Sequence, residues 1–156
     1  MITRAESDEK IVAEVSDKIQ HYDLLTLYDD IQGRVRNGVV YLGGAVTEEK
    51  KQADLVERVS KVKGVQAVDN KIAVLPVNRS DDQLRSRIAT AIYRDDAFVN
   101  YSMANPPIHV IVNNGHVTLT GIVRSDIERR KAHEAAQFVS GVLALDDRVK
   151  LAKEVK

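Results

Sequence analysis

The chain has 156 residues, 44% of them hydrophobic and 29% charged, enough to bury one ordinary core or two small ones. Its 23 basic and 23 acidic side chains cancel, so no global field draws it to nucleic acid or to an anionic membrane, and any such attraction has to come from a local patch. Cysteine is absent, which excludes disulfides, thiolate metal sites, a cysteine nucleophile and a lipid anchor on an N-terminal cysteine.

No apolar run approaches the roughly 20 residues that a membrane-spanning helix needs. Met1 to Arg4 leads directly into charged Glu6, Asp8, Glu9 and Lys10, so the chain as written carries no signal peptide. It reads either as the mature part of an exported, periplasmic protein or as a cytoplasmic one.

Ile11, Val12, Val15 and Ile19 fall at helical spacing and predict a first amphipathic helix. A hairpin follows, turning at Asn37-Gly38, because both residue types accept the positive φ of a type I′ turn. That register places Val35, Val40 and Leu42 inward and Gln32, Arg34, Arg36 and Tyr41 outward. A second helix opens at Thr47-Glu48-Glu49, buries Leu55, Val59 and Val62, and ends at Gly64, where a left-handed residue is favoured. A last strand alternates Val68, Ile72 and Val74. The connection from Leu75 to Ser80, stiffened by Pro76, is too short to let two domains wander, so packing between them is expected.

The same elements then recur. Leu84, Ile88 and Ile92 predict a third helix, opened by a capping-box pattern at Ser80, Asp81, Asp82 and Gln83. A second hairpin turns at Asn114-Gly115, with Val112 facing Val117, Val110 facing Leu119 and Ile108 facing Gly121. Its other side carries His109, Ile111 and Asn113 against Thr120, Thr118 and His116. The fourth helix opens with the capping box Ser125 to Glu128, buries Ala132, Ala136 and Val139, and ends at Gly141. The closing strand alternates Leu145, Val149 and Leu151.

At a constant separation of 77 residues, Ile31, Val35, Asn37, Gly38, Val40, Leu42, Gly44 and Val46 match their later counterparts, and so do Val62, Gly64, Val65, Ala67 and Asp69. Such agreement without a gap marks an internal duplication. Upstream the register changes by four, so the second copy carries extra residues in the stretch SMANPP before Ile108. The reading is therefore α+β, two tandem α-β-β-α-β modules at residues 7–75 and 80–152. Each is a three-stranded sheet with two helices packed on one face.

The repeated pattern is strand, Asn-Gly, Val-x-Leu-x-Gly-x-Val, helix, Val-x-Gly-Val, and it resembles the BON domain (bacterial OsmY and nodulation) over nearly the whole chain. The positions carrying it are Gly38, Gly44, Gly64 and Val65, with Gly115, Gly121, Gly141 and Val142. The arrangement is similar to the tandem-BON proteins of the bacterial envelope, including periplasmic, osmotically inducible members. The resemblance implies a non-enzymatic, periplasmic envelope protein that binds phospholipid surface or envelope proteins and supports the envelope under stress. It also leaves a small-ligand or potassium-sensing module, or a protein-interaction scaffold, as alternatives. The lipoprotein members are anchored through a cysteine that this chain lacks, and their lipid contacts do not transfer residue by residue.

The residues themselves argue against catalysis. His21, His109, His116 and His133 are scattered, and no His-x-x-x-His motif or acidic metal cluster emerges, so no catalytic residue, metal or cofactor is assigned. The acidic pairs Glu48-Glu49, Asp81-Asp82, Asp95-Asp96 and Asp146-Asp147 read as solvated or capping carboxylates. The widely separated glycines make turns and helix ends rather than a phosphate cradle.

The candidate lipid- or partner-binding patch is Arg124, Arg129, Arg130, Lys131 and His133 at the start of the fourth helix, with Phe138 where the first copy has Lys61. Asp126, Glu128 and Glu134 in the same helix offset much of that charge, so a solvated mixed-charge face is the plainer reading. Arg34, Arg36 and Tyr41 form a weaker candidate on the outer face of the first sheet. The SMANPP stretch reads as a strut, with Met103 packing on the partner module. The alternative makes it a lipid-touching loop presenting Met103 and Tyr101.

Overall fold

A computed structural model describes residues 3–102 and 104–155, so the expectation for Met103 lies outside the described residues. The chain divides into two compact units, Met1–Leu75 and Pro76–Lys156. The first contains helix α1 (Arg4–Gln20), strands β1 (Asp30–Arg36) and β2 (Val39–Val46), helix α2 (Glu49–Ser60), and β3 (Ala67–Asn70) with β4 (Ala73–Val74). The second repeats the plan with α3 (Arg79–Tyr93), β5 (Ile108–Asn113), β6 (His116–Val123), α4 (Asp126–Gln137), β7 (Ala144–Asp147) and β8 (Lys150–Leu151). A short 3-10 turn at Asp96–Phe98 precedes β5. The α+β fold of two repeated α-β-β-α-β modules is the one that the sequence predicts.

In each sheet the long second strand is central. β2 pairs antiparallel with β1 and parallel with β3 and β4, and β6 does the same with β5, β7 and β8. Val39 opposite Ala67 and Ala45 opposite Ala73 share one register, so β3 and β4 are one ribbon interrupted at Lys71–Ile72. The parallel step requires a crossover, which α2 and α4 supply.

Both hairpins take the expected register, with Val35 opposite Val40, Val112 opposite Val117 and Ile108 opposite Gly121. In the first module α1 contributes Ile11 and Val15, α2 contributes Leu55 and Val59, and Val62 just past the end of α2 joins them in the same core as Val40, Leu42 and Val46. The second core is built alike, from Leu84, Ile88, Ile92, Val110, Val112, Leu119, Ala132 and Ala136. Each fully buried Leu, Ile or Val stabilises its module by roughly 1.5–3 kcal/mol.

The Asn-Gly turns have the backbone angles that a type I′ turn needs, with φ of 51° and 78° at Asn37 and Gly38 and of 50° and 82° at Asn114 and Gly115. Each turn is also gripped from outside the hairpin. The Asp8 carboxylate accepts the N–H groups of Asn37 and Gly38 at 2.9 and 3.0 Å. The Asp81 carboxylate accepts those of Asn114 and Gly115 at 2.7 and 3.0 Å. The turn's own carbonyl, Gly38 or Gly115, takes the N–H of Gln66 or Leu143 at the start of the third strand.

Three local expectations are corrected here. The third helix begins at Asn78, whose side chain accepts the N–H of Asp81, and not at a Ser80 capping box. Asp81 is 2% exposed and serves as a buried latch, not a solvated or capping carboxylate. The Thr47-Glu48-Glu49 opening of α2 also differs in detail, since Glu48 occupies the cap without a side-chain bond and Thr47 turns inward.

Gly44 and Gly121 have φ of 101° and 122°, and a Cβ at either would overlap the carbonyl oxygen of Asp30 or Pro107 across the hairpin. Here the backbone approach admits only glycine.

Removing a buried acceptor orphans the donors that it satisfied. Asp81→Ala should therefore destabilise its module by about 2–3 kcal/mol, and Asp8→Ala, at a half-buried position, by about 1 kcal/mol. Urea unfolding of the two variants measures the difference.

Candidate functional site

Helix α4 carries the candidate patch, and its start is fixed by chemistry that the sequence announces. Ser125 accepts the N–H of Glu128 while the Glu128 carboxylate accepts the N–H of Ser125, a reciprocal capping box. Glu128 is 7% exposed. The same carboxylate oxygen accepts the Arg124 N–H at 2.7 Å and the Tyr101 hydroxyl at 2.9 Å. Arg124 lies with its guanidinium carbon 4.3 Å from the Tyr101 ring centroid and donates to the Tyr101 hydroxyl at 3.0 Å. That bond to Tyr101 is the main reason that the Arg124 pKa is raised, with the charge of Glu128 adding to it. Tyr101 also packs on Phe98, which meets Tyr93 edge to face. The aromatic ring is thus committed to its own module, which removes Tyr101 from a freely presented lipid-touching loop.

The patch residues do not form one block of free charge. Arg129 donates to Asp126 at 2.7 Å and lies 3.7 Å from Glu154, and Arg130 sits 3.3 Å from Asp126. The Arg129 hydrogen bond is the first cause of the lowered Asp126 pKa, and Asp126 in turn raises that of Arg129. His133 pairs with Asp147 at 3.0 Å, across to β7. Lys131 is exposed, and Phe138, the residue that caps the helix, is 81% exposed.

What the structure does bring together is a stripe on the outer side of α4. Ile127, Lys131, Glu134 and Phe138 follow one another at helical spacing, and all four are exposed, Ile127 to 57%. The corresponding stripe of α2 is Lys50, Asp54, Glu57 and Lys61, closed on itself by the ion pairs Lys50–Asp54 at 3.0 Å and Lys61–Glu57 at 2.9 Å. One copy presents paired charge, the other two large apolar side chains around a lysine. Sequence reasoning singles out Phe138 in this stripe but misses Ile127, although the comparison with Lys50 was open to it.

The buried niche beneath the helix start also differs between copies. In the first module Lys51 donates to Asp29 and to Thr47, each at 2.8 Å, and Asp29 also accepts the backbone N–H groups of Thr26 and Thr47 at 2.9 Å each. The equivalent of Lys51 is Glu128, so the two modules hold opposite charges at one structural position. Both are fully partnered, which suits a brace rather than a reactive group.

A third cluster lies between α1 and α2, where the Tyr22 hydroxyl donates to Asp54 at 2.5 Å and Arg58 stacks 5.5 Å from the Tyr22 ring. A shallow cleft of about 420 Å³ opens beside it, lined by Lys18, Tyr22, Asp54, Glu57, Arg58 and Lys61. On the outer face of the first sheet, Arg34 lies 5.8 Å from the Tyr41 ring, while Arg36 is exposed at the end of β1. Among the described residues, no three His, Asp or Glu side chains are grouped to hold a metal ion, and no helix is long and apolar enough to cross a membrane.

A family model, the BON domain, matches residues 7–76 and 80–153. No curated protein matches the chain. Two solved structures of CdsD, a structural protein of the type III secretion system of Chlamydia trachomatis, are similar at 15% identity and a TM-score of 0.36. One is aligned over 91% of this chain and 92% of its own; the other, its C-terminal domain, over 90% and 96%.

The clusters imply an alkaline limit to stability. Burial raises the pKa of Tyr22 and of Tyr93 from 10.0 to about 12, assisted at Tyr22 by its bond to Asp54. Each phenol therefore binds its proton more tightly folded than unfolded, so its contribution is constant below pH 10 and is lost as pH rises towards 12. A spectroscopic titration should show two of the five tyrosines ionising near pH 12, with stability to urea falling across the same interval. Tyr22→Phe and Tyr93→Phe should each remove one of those late ionisations.

Proposed function

The chain belongs to the BON domain family, which both of its modules match, and from this premise we propose that it is a non-enzymatic binding protein of the bacterial envelope. In this reading it acts in the periplasm, and its second module attaches to the surface of anionic phospholipid through α4. The observation that carries the reading is the stripe Ile127, Lys131, Glu134 and Phe138. Its two apolar side chains face outward with Lys131 between them and Arg130 alongside.

An interfacial helix works by setting apolar groups into the acyl boundary while basic groups meet the headgroups. Ile127 and Phe138 supply the first element and Lys131 the second. Each cation near an anionic surface contributes about 1 kcal/mol. The guanidiniums of Arg129 and Arg130 are already shared with Asp126, so their share of the attraction is smaller than a count of basic residues suggests. The first module's stripe, with its charges paired internally, lacks the apolar component. Attachment is thus assigned to one copy, the other acting as its structural twin.

The test is liposome flotation with vesicles of phosphatidylglycerol mixed into phosphatidylcholine, against phosphatidylcholine alone. The anionic vesicles should carry the protein up at low salt. Phe138→Ala and Ile127→Ala should each weaken partitioning by about tenfold. Lys131→Glu should weaken it by at least as much at low salt, an effect that high salt diminishes. Lys61→Ala, on the first module's stripe, should leave flotation unchanged. No flotation with either vesicle type at low salt, or no response to the α4 variants, would remove phospholipid as the ligand of α4, and equal flotation with both types would overturn the requirement for an anionic headgroup.

A further inference from the structure

The two modules treat the outer edge of the hairpin differently. Sheet order makes β1 and β5 edge strands, whose outward N–H and C=O groups have no partner strand. In the second module both ends of that edge are capped by side chains. The Arg85 guanidinium, 3% exposed, donates to the Val112 carbonyl at 2.7 Å. The Tyr93 hydroxyl donates to the Ile108 carbonyl at 2.6 Å and accepts the Ile108 N–H at 2.9 Å. Ile108, Val110 and Val112 are therefore the outward-facing residues of β5, since donor and acceptor of one strand residue point the same way.

The first module shares the ladder register, so Ile31, Gly33 and Val35 are the outward-facing residues of β1. The positions that staple β5 are occupied in α1 by Val12 and Gln20, and no side-chain hydrogen bond among the described residues reaches the backbone of Ile31, Gly33 or Val35. In place of a staple there is an open groove of about 260 Å³ lined by Val12, Val15, Ile19, Ile31, Gly33 and Val35. Val12 is 45% exposed. Gly33 stands where β5 has Val110 and leaves the middle of the groove without a side chain.

We infer that the β1 edge of the first module is a pairing surface for the β1 edge of a second copy of this chain, in antiparallel register about Gly33. The strand Asp30-Ile31-Gln32-Gly33-Arg34-Val35-Arg36 is complementary to its own reverse. Centred on Gly33, the register sets Gly33 opposite its counterpart and Ile31 opposite Val35, and both couples have outward backbone groups, so they exchange hydrogen bonds. On the helix side, Ile31 and Val35 of each copy enter the groove of the other. On the outer side, Asp30 meets Arg36 twice by symmetry, and Gln32 meets Arg34. A two-fold interface of this kind requires self-complementarity, and the strand supplies it in charge and in apolar pattern together.

Small interfaces associate weakly, so sedimentation velocity on the full chain from micromolar to millimolar concentration is the measurement. A rise towards twice the monomer mass is expected, accompanied by slowed hydrogen exchange at Ile31, Gly33 and Val35. Arg36→Asp should weaken association by about tenfold, as should Asp30→Arg, because each sets like charges opposite one another twice. The double exchange Asp30→Arg with Arg36→Asp should restore it. Gly33→Pro should abolish it while the fold persists, because an edge strand tolerates proline where its N–H faces outward. A chain that stays monomeric throughout would overturn the inference. So would a dimer that ignores both the charge exchange and Gly33→Pro, or an edge that binds an unrelated extended peptide without self-association.

Discussion

Everything in each module is hung on the Asn-Gly turn. Four backbone groups of this tight loop point away from the hairpin, and three of them are answered by other elements. Asp8 or Asp81 from the start of the preceding helix accepts two N–H groups, and the glycine carbonyl accepts the N–H of Gln66 or Leu143 at the start of the third strand. One turn thereby fixes the helix, the hairpin and the parallel strand relative to each other. The positive φ at both residues sets the twist of the hairpin, and the aspartate turns that local preference into a tertiary constraint. The core then has only to fill the space between elements that are already placed.

Because the frame is set by so few residues, the other positions were free to diverge between the copies. Position for position, Lys51 became Glu128 in the buried niche, the paired charges of Lys50, Asp54 and Lys61 became Ile127, Lys131 and Phe138, and Val12 and Gln20 became Arg85 and Tyr93. None of these exchanges touches the turn or the central strand. Each changes what a face of the module offers to the outside, or which charge its interior must satisfy.

The fold was legible because its signals are local. Alternation of period two fixed which side of β2 and β6 is buried, Asn-Gly fixed the hairpin register, and repetition confirmed both. The latch was not legible for the opposite reason. Asp8 and Asp81 do recur in the upstream register of the repeat, but an acidic residue in a first helical turn already has an ordinary explanation in the helix dipole. Its real partners lie some thirty residues away in sequence. The same bias placed a capping box at Ser80, two residues late. At α4 the sequence showed the opposing acids Asp126 and Glu128 but could not apportion them among the arginines. It named Phe138 and passed over Ile127, since one exposed apolar residue carries no meaning until both are seen on a single outward stripe. The contrast between an open and a stapled edge was invisible, because Val12 and Arg85 acquire their roles only once β1 and β5 are known to be edges.

An open strand edge is ordinarily a hazard, and the way the other edges are managed bears on what the β1 edge can do. The third strand is short in both modules and interrupted. At the break in the first module, the Ile72 N–H is taken by Asn70 and its carbonyl by Gln52; at the break in the second, the Val149 N–H is taken by Asp147. With β5 stapled by Arg85 and Tyr93, the long, unstapled edge among the described residues is β1 alone. A chain with two open edges would add copies without limit, whereas one self-complementary edge is consumed by the first partner. Pairing through β1 therefore closes at two chains, and stapling the duplicate is what permits the original to remain open.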